Sequence, residues 1–260
     1  MTCALVVTTY NWKEALELVL LSALNQSVSV DEIIIADDGS SEDTKLLIEK
    51  ISKESEIPII HSWQEDDGFR AAMSRNRAIA KSTCEYIVLI DGDMILHKDF
   101  IKEHKSFAKS GYFMQGSRVL LGEKLSKKML DSKEVEVSFF EADLKNRKNT
   151  LHSDMLAGIF SNESESLKGI KTCNMSFFKS DCYGVNGFNE DFVGWGREDS
   201  EFVVRLYNNN IKRQNIRFNA IAYHIWHNEN SRKSLEKNDE ILENAIKNRV
   251  SFCDNGIDKY

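Results

Sequence analysis

A short apolar run, Tyr86–Ile90, stops on Asp91-Gly92-Asp93, and no other stretch constrains the chain as much. A run of this length and β-branched content suits a strand buried on both faces, as in parallel sheets. Asp91 and Asp93 stand two apart, so in extended backbone their carboxylates point the same way. Two carboxylates converging at a strand end suit a hard divalent cation that keeps some water and shares its other positions with phosphate. An Asp-Gly pair is also an ordinary choice for a turn. The neighbouring strands decide between these readings.

Those neighbours repeat the pattern. Cys3–Thr8 reads as a buried strand ending in Thr8-Thr9-Tyr10-Asn11, and Glu32–Ala36 as a second ending in Asp37-Asp38-Gly39-Ser40. Ile57–His61 is a third, running into Gln64-Glu65-Asp66-Asp67-Gly68. Helices are expected over Trp12–Leu24, over Glu42–Ser52 with Ser41 as its cap, and over Phe69–Lys81, which carries Arg70 and Arg75. This alternation predicts an α/β fold with a parallel, doubly wound sheet and right-handed crossovers. Ligands bind such sheets outside the carboxyl ends of the strands. The first, second and fourth strands each end there in a polar cluster, which three unrelated turns do not explain. Neither a G-x-x-x-x-G-K-[ST] loop nor a G-x-G-x-x-G turn is present. Phosphates would therefore need a metal and arginines, which Asp91–Asp93 and Arg70 or Arg75 can supply.

The second half is less regular. A helix is expected over Phe100–Lys109, extended chain over Tyr112–Leu121, a short helix over Glu123–Leu130 and a strand over Asn174–Phe178. Residues 131–170 are polar and aperiodic, and read as a mobile insertion over an active site. Next comes Gly194-Trp195-Gly196-Arg197-Glu198-Asp199, followed by a helix over Ser200–Asn209. The glycines leave the indole free to form a platform beside carboxylates, a common grip for sugars; a buried tryptophan beside an acidic helix start is the alternative. A strand over Ile216–Tyr223 ends in His224-Ile225-Trp226-His227, whose histidines, chiefly His224, are candidate metal ligands. Leu235–Val250 closes the chain as an amphipathic helix, for packing or for a membrane surface.

Composition narrows the class. With 260 residues, 42% of them hydrophobic, the chain suits one large domain. A net charge of -7 argues against nucleic acid as the main partner. No run approaches the roughly 20 apolar residues of a membrane span. Five scattered cysteines, with no C-x-x-C pair, fit reduced thiols. The expected compartment is the cytoplasm, with peripheral contact at the cytoplasmic membrane left open.

With Thr8–Tyr10, Asp37–Ser40, Asp67–Arg70, Asp91–Asp93 and Gly194–Asp199 in order along nearly the whole chain, the sequence resembles glycosyltransferase family 2. It looks most like the chondroitin-polymerase type of catalytic domain, with a Gly-Trp-Gly-x-Glu-Asp element shared with β-1,4-galactosyltransferases. The resemblance implies a single GT-A domain with a mostly parallel central sheet. Residues 1–121 would form the nucleotide-sugar half, 122–230 the acceptor and catalytic half, and 231–260 a C-terminal helix. It implies a UDP-sugar donor and Mn²⁺ or Mg²⁺ as cofactor. Tyr10 and Asp38 would hold the uracil, with Thr8 hydrogen-bonding there and Asp67 and Arg70 in a donor-side cluster. Asp93 and His224 would ligate the metal, and Asp91 the ribose or the metal. Asp199 would be the catalytic base, with Glu198 and Trp195 lining the sugar sites.

The expected activity is inverting, metal-dependent transfer of a hexose or N-acetylhexosamine to a glycan hydroxyl. By analogy the setting is bacterial lipopolysaccharide or capsule synthesis, with an acceptor that could be lipid-linked. The family's polymerases carry two such domains and this sequence one, which favours a single transfer. The rivals are a sugar nucleotidyltransferase, which would release pyrophosphate, a metal-dependent hydrolase, which would need no acceptor, and a non-catalytic carbohydrate-binding protein derived from the same fold.

Overall fold

The computed structural model describes residues 1–228 and 234–260. Strands β1 (Cys3–Thr9), β2 (Glu32–Asp37), β3 (Ile59–Trp63) and β4 (Tyr86–Asp91) are joined by helices α1 (Lys13–Leu24), α2 (Glu42–Glu54) and α3 (Ala71–Lys81). The four strands pair in parallel in the order β3-β2-β1-β4. The chain steps outward twice and then crosses back to the far side of β1. Right-handed crossovers then require α1 and α2 on one face and α3 on the other.

Alternate strand residues carry this arrangement. Leu5, Val7, Ile33, Ile35, Val88 and Ile90 pack with Leu16, Val19 and Ile48. Val6, Ile34, Ile87 and Leu89 pack with Ala72, Ala78 and Ile79 on the other side. Fully burying each of the larger of these side chains is worth about 1.5–3 kcal/mol, so continuous apolar runs are what a sheet covered on both faces demands. The strand order reverses between β1 and β4, where Thr8 and Asp91 are register partners.

The rest of the chain adds strands β5 (Met94–Leu96), β6 (Tyr112–Gln115), β7 (Ser117–Leu121), β8 (Leu144–Lys145), β9 (Asn162–Ser164), β10 (Asn174–Phe178), β11 (Lys212–Asn215) and β12 (Ile221–His224). It also adds helices α4 (Phe100–Phe107), α5 (Glu123–Ser132), α6 (Asp154–Phe160), α7 (Lys179–Gly184), α8 (Glu198–Asn208) and α9 (Leu235–Lys247). The large sheet runs β3-β2-β1-β4-β10-β6-β11-β9, and a smaller one runs β5-β12-β7-β8. The central sheet is mostly parallel as expected, with β10 lying antiparallel between β4 and β6.

Two extended stretches also divide differently from the expectation. Tyr112–Leu121 splits into β6 and β7, and the Ile216–Tyr223 strand is replaced by β11 and β12. Strands β6 and β11 pair in the large sheet, while their continuations β7 and β12 pair in the small one. Positive φ at Phe218 and Ala220 breaks the second stretch. The first bends at Gly116, where a Cβ would lie 2.3 Å from Asn174 Oδ1. The Asn174 amide donates to Ser117 O at 2.8 Å and Ala220 O at 2.7 Å, with His104 Nε2 2.9 Å from its oxygen. One buried side chain thus fastens the two sheets at their shared bend.

Residues 131–170 do not form an aperiodic insertion. β8 pairs with β7, β9 with β11, and α6 is capped by Ser153, whose Oγ accepts from Leu156 N–H. Strands of two and three residues are too short to show a period, which is why the sequence reads as featureless. Smaller shifts have local causes. Pro58 cannot donate to the ladder, and β3 begins just after it. Ser41 does not cap α2 with its hydroxyl, which instead donates to Asp43 Oδ1 at 2.6 Å. α9 packs against α8, which gives its apolar face a protein partner. All five cysteines are buried and unpaired. No described helix is long and apolar enough to cross a membrane.

Candidate active site

The polar clusters meet at the β1/β4 reversal. Gly92 N–H donates to Thr8 O at 2.7 Å, and a Cβ on Gly92 would come within 2.9 Å of that oxygen. The glycine therefore lets the Asp91–Asp93 turn lie directly against the end of β1. Beside it, Asn11 N–H donates to Ser40 Oγ and Ser41 N–H to Asn11 Oδ1, so the ends of β1 and β2 are tied together. Asp37 is a purely structural acid here: it faces His61 at 2.8 Å and accepts from Ser40 N–H. Asp38 accepts from Gln64 Nε2 at 2.6 Å and Arg70 N–H at 2.8 Å, and burial pushes its carboxyl up to about 6. Tyr10 stands half exposed at the rim, donating to Asp66 Oδ2 at 2.9 Å. Asp67 and Arg70 pair with each other at 2.7 Å on the surface of the same turn.

Asp91 and Asp93 do not point at one centre. β4 ends at Asp91 and the chain turns through Gly92–Asp93, so the extended geometry expected of the pair is lost. Asp93 Oδ2 lies 3.3 Å from His224 Nε2 and 3.1 Å from His227 Nε2. These three residues form a group whose ligating atoms all lie within 4.8 Å of one another, and Asp91 is not among them. Burial lowers the His224 imidazole, whereas the hydrogen bond that His227 donates to Asp93 raises that of His227. His227 Nδ1 faces Asn228 O at 2.6 Å, which leaves Nε2 for the cluster. Asp93 Oδ1 is buried and has no hydrogen-bond partner among the described residues. An orphaned carboxylate oxygen beside two imidazole nitrogens fits a divalent metal ion better than a finished hydrogen-bond network.

Asp91 turns instead to Arg75. This buried guanidinium reaches Asp91 Oδ1 at 3.4 Å, Glu198 Oε1 at 3.1 Å and Thr8 Oγ1 at 3.3 Å. Its neighbour Asn76 donates to Phe188 O at 2.7 Å and Glu190 Oε1 at 2.8 Å. Two adjacent residues of α3 therefore fix the strand ends and the Gly187–Glu190 turn together. Partial burial pushes Asp91 up to about 6, Arg75 notwithstanding. Burial, then the charge of Glu198, pushes Asp199 up to about 7, although Ser200 N–H donates to it at 2.6 Å.

α8 starts at Glu198 rather than Ser200, so both acids sit in its first turn. The turn before it depends on positive φ at Gly194 and Gly196. Gly194 N–H donates to Phe69 O at 3.0 Å, and Asn238 of α9 donates to Gly196 O at 2.9 Å. Trp195 is carried on this turn, 39% exposed, next to the Phe69–Arg70 segment. The predicted residues thus assemble as a rim (Tyr10, Asp67, Arg70, Trp195), a histidine corner (Asp93, His224, His227) and an arginine corner (Thr8, Asp91, Glu198, Asp199). Asp38 lies behind the rim.

Two contributors carry no sequence signal. Arg118 on β7 lowers both Asp91 and His224 by its charge, and Lys171 lowers His224 and interacts with Asp199. Isolated basic residues on a short strand and a loop have no spacing to read. His227 did have one, at three residues after His224.

The family model for glycosyl transferase family 2 matches residues 4–169. The chain belongs to glycosyl transferase family 2. A second model, the N-terminal domain of galactosyltransferase, matches residues 160–228 of this family member. Chondroitin synthase of Escherichia coli is 25% identical over 244 residues, covering 85% of this chain and 34% of that protein. Validoxylamine A glucosyltransferase of Streptomyces hygroscopicus subsp. jinggangensis is 26% identical over 219 residues, covering 78% and 51%. The chain thus spans a third to a half of these relatives. S. aureus TarS 1–349, solved in complex with UDP, superposes with a TM-score of 0.63 at 16% identity, covering 93% of this chain and 64% of that one. That likeness is one of fold.

Proposed function

We propose that this glycosyltransferase moves a hexose or N-acetylhexosamine from a UDP-sugar to a glycan hydroxyl, with inversion at the anomeric carbon. One observation carries the reading. Asp199, pushed up to about 7, stands in the arginine corner together with Asp91, while Asp93 two residues on belongs to the histidine corner. A base and an anion-side ion site in one cleft are the two parts that direct displacement needs.

The nucleotide enters along the rim and the β1/β4 reversal, with Tyr10 against the uracil, Thr8 and Asp38 behind it, and the Asp67–Arg70 turn on the donor side. Asp91, held by Arg75, faces the ribose. Asp93, His224 and His227 would hold Mn²⁺ or Mg²⁺. When bound, such an ion acts as a Lewis acid on the diphosphate, an effect worth several kcal/mol. Arg118 and Lys171 add positive charge on the same side. Trp195 and Glu198 position the sugars. Asp199 accepts the proton of the acceptor hydroxyl as its oxygen attacks the anomeric carbon. The bond to UDP breaks, and UDP departs with the electron pair. General-base help of this kind is worth roughly 10²–10⁴-fold, and no covalent carboxylate intermediate is needed.

The glycan-building relatives support a place in lipopolysaccharide or capsule synthesis, with the acceptor presented at the cytoplasmic face of the membrane. The test is UDP release from a panel of UDP-sugars, with and without Mn²⁺. Release from one donor, stimulated by Mn²⁺ and by a glycan acceptor, is the expected result. Pyrophosphate release from UTP, or turnover of no donor at all, would sink the proposal.

A further inference from the structure

A second cluster of ligating side chains lies away from the cleft, where β5 leaves the small sheet and α4 begins. His97 follows β5, Asp99 occupies the N-cap of α4, Glu103 comes one turn later, and His152 precedes α6. One ligand atom from each of the four lies within 4.8 Å of the other three. Residues 99 and 103 are four apart, which puts both carboxylates on one side of the helix start. The two imidazoles are stacked, with ring centroids 4.4 Å apart and planes inclined by 29°, and His152 Nε2 touches Glu103 Oε1.

Each carboxylate is also fixed from behind. Ser27 Oγ donates to Asp99 Oδ1 at 2.6 Å, and Ala220 N–H donates to Glu103 Oε2 at 2.5 Å. The second oxygen of each is left to the cluster. Outer hydrogen bonds that orient a ligating carboxylate in this way accompany built metal sites. A His152–Glu103 ion pair alone accounts for two of the four groups. It does not involve His97, whose Nδ1 accepts from Asp99 N–H at 3.3 Å and whose ring stacks on that of His152, or the carboxylate of Asp99.

We propose that His97, Asp99, Glu103 and His152 bind a structural divalent transition-metal ion of the Zn²⁺ type. Two imidazoles and two carboxylates supply the four nitrogen and oxygen donors of a closed tetrahedral set. The ion joins the segment before α6 to α4 and to the β5/β12 ribbon. His97 N–H donates to Ile221 O at one end of that ribbon, while Met94 faces His224 at the other. The same ribbon therefore carries a metal corner of the cleft at one end and this site at the other.

The test uses the metal alone, without nucleotide. Chelator-stripped protein carrying His224→Ala and His227→Ala is titrated with Zn²⁺ by calorimetry, so that only the second cluster is counted. One equivalent should bind, and Co²⁺ in its place should give the visible absorption of a four-coordinate ion. Adding His97→Ala and His152→Ala should abolish that equivalent while far-UV circular dichroism stays unchanged. Should that combination fold poorly, Asp99→Asn alone should weaken Zn²⁺ binding tenfold or more. No Zn²⁺ uptake by the starting variant, or uptake indifferent to His97, His152 and Asp99, would overturn the proposal.

Discussion

Asp91 and Asp93 are separated by one glycine, yet their partners differ in kind. Asp91 faces Arg75, a buried guanidinium that never gives up its proton, whereas Asp93 faces two imidazoles, side chains that can give up a proton and serve as ligands. The arginine corner is closed by direct contacts: Arg75 reaches both Asp91 and Glu198, with Asp199 nearby. The histidine corner is incomplete, with an oxygen of Asp93 that has no partner among the described residues. Breaking the first should cost the fold, and breaking the second should cost a ligand.

The comparison can be attacked from several sides. Asp199→Asn keeps the acceptor oxygen for Ser200 N–H but removes the proposed base, so turnover should fall by about 10²–10⁴-fold, with UDP affinity held within about twofold. Parent-like turnover would show that the base lies elsewhere. Arg75→Met strands Asp91 and Glu198 without their countercharge and should lower stability by about 3–5 kcal/mol in urea unfolding. Asp93→Ala should leave unfolding nearly unchanged while weakening Mn²⁺-dependent UDP binding at least tenfold, about 1.4 kcal/mol, by calorimetry. If Arg75→Met lost only affinity and Asp93→Ala only stability, the two corners would have been assigned the wrong way round.

The smallest expected effect is on pH dependence. Asp91 and Asp199 sit at about 6 and about 7 in the folded protein, above the ordinary 3.8. The folded state then holds protons that the unfolded chain has released, so stability is full below about pH 4 and declines as pH rises through 7. Asp199→Asn removes one of these groups. The variant should match the parent near pH 4 and exceed it by about 1 kcal/mol or more at pH 7.5, measured by denaturant unfolding at both pH values.

These two corners also mark where sequence reading works and where it stops. β1, β2 and β4 were legible because burial on both faces leaves no alternation to misread, and their polar ends announce the cleft. Glu198 and Asp199 are neighbours in the chain, and the convergence of Asp93 with His224 followed from the family resemblance. Which acid pairs with which base did not, since Arg75 reaches Asp91 and Glu198 only through the packing of α3 against the sheet. The same holds for the later strands. Nothing local in Tyr112–Leu121 says that Gly116 must yield to an asparagine some sixty positions on, and nothing in 131–170 marks two- and three-residue strands that exist only as edges of larger sheets.

The bend fastened by Asn174 bears on the order in which the cleft can come together. Asp93 follows the end of β4 in the large sheet, while His224 arrives on β12 of the small sheet, so the histidine corner spans the two sheets that this bend fastens together. Contacts so distant in the chain close late, after local strand and helix units have formed. A growing or refolding chain would present a nucleotide-shaped edge long before it could hold an ion. Ion affinity would then act as a reporter of completed folding, appearing in step with the last docking event and not with the first collapse.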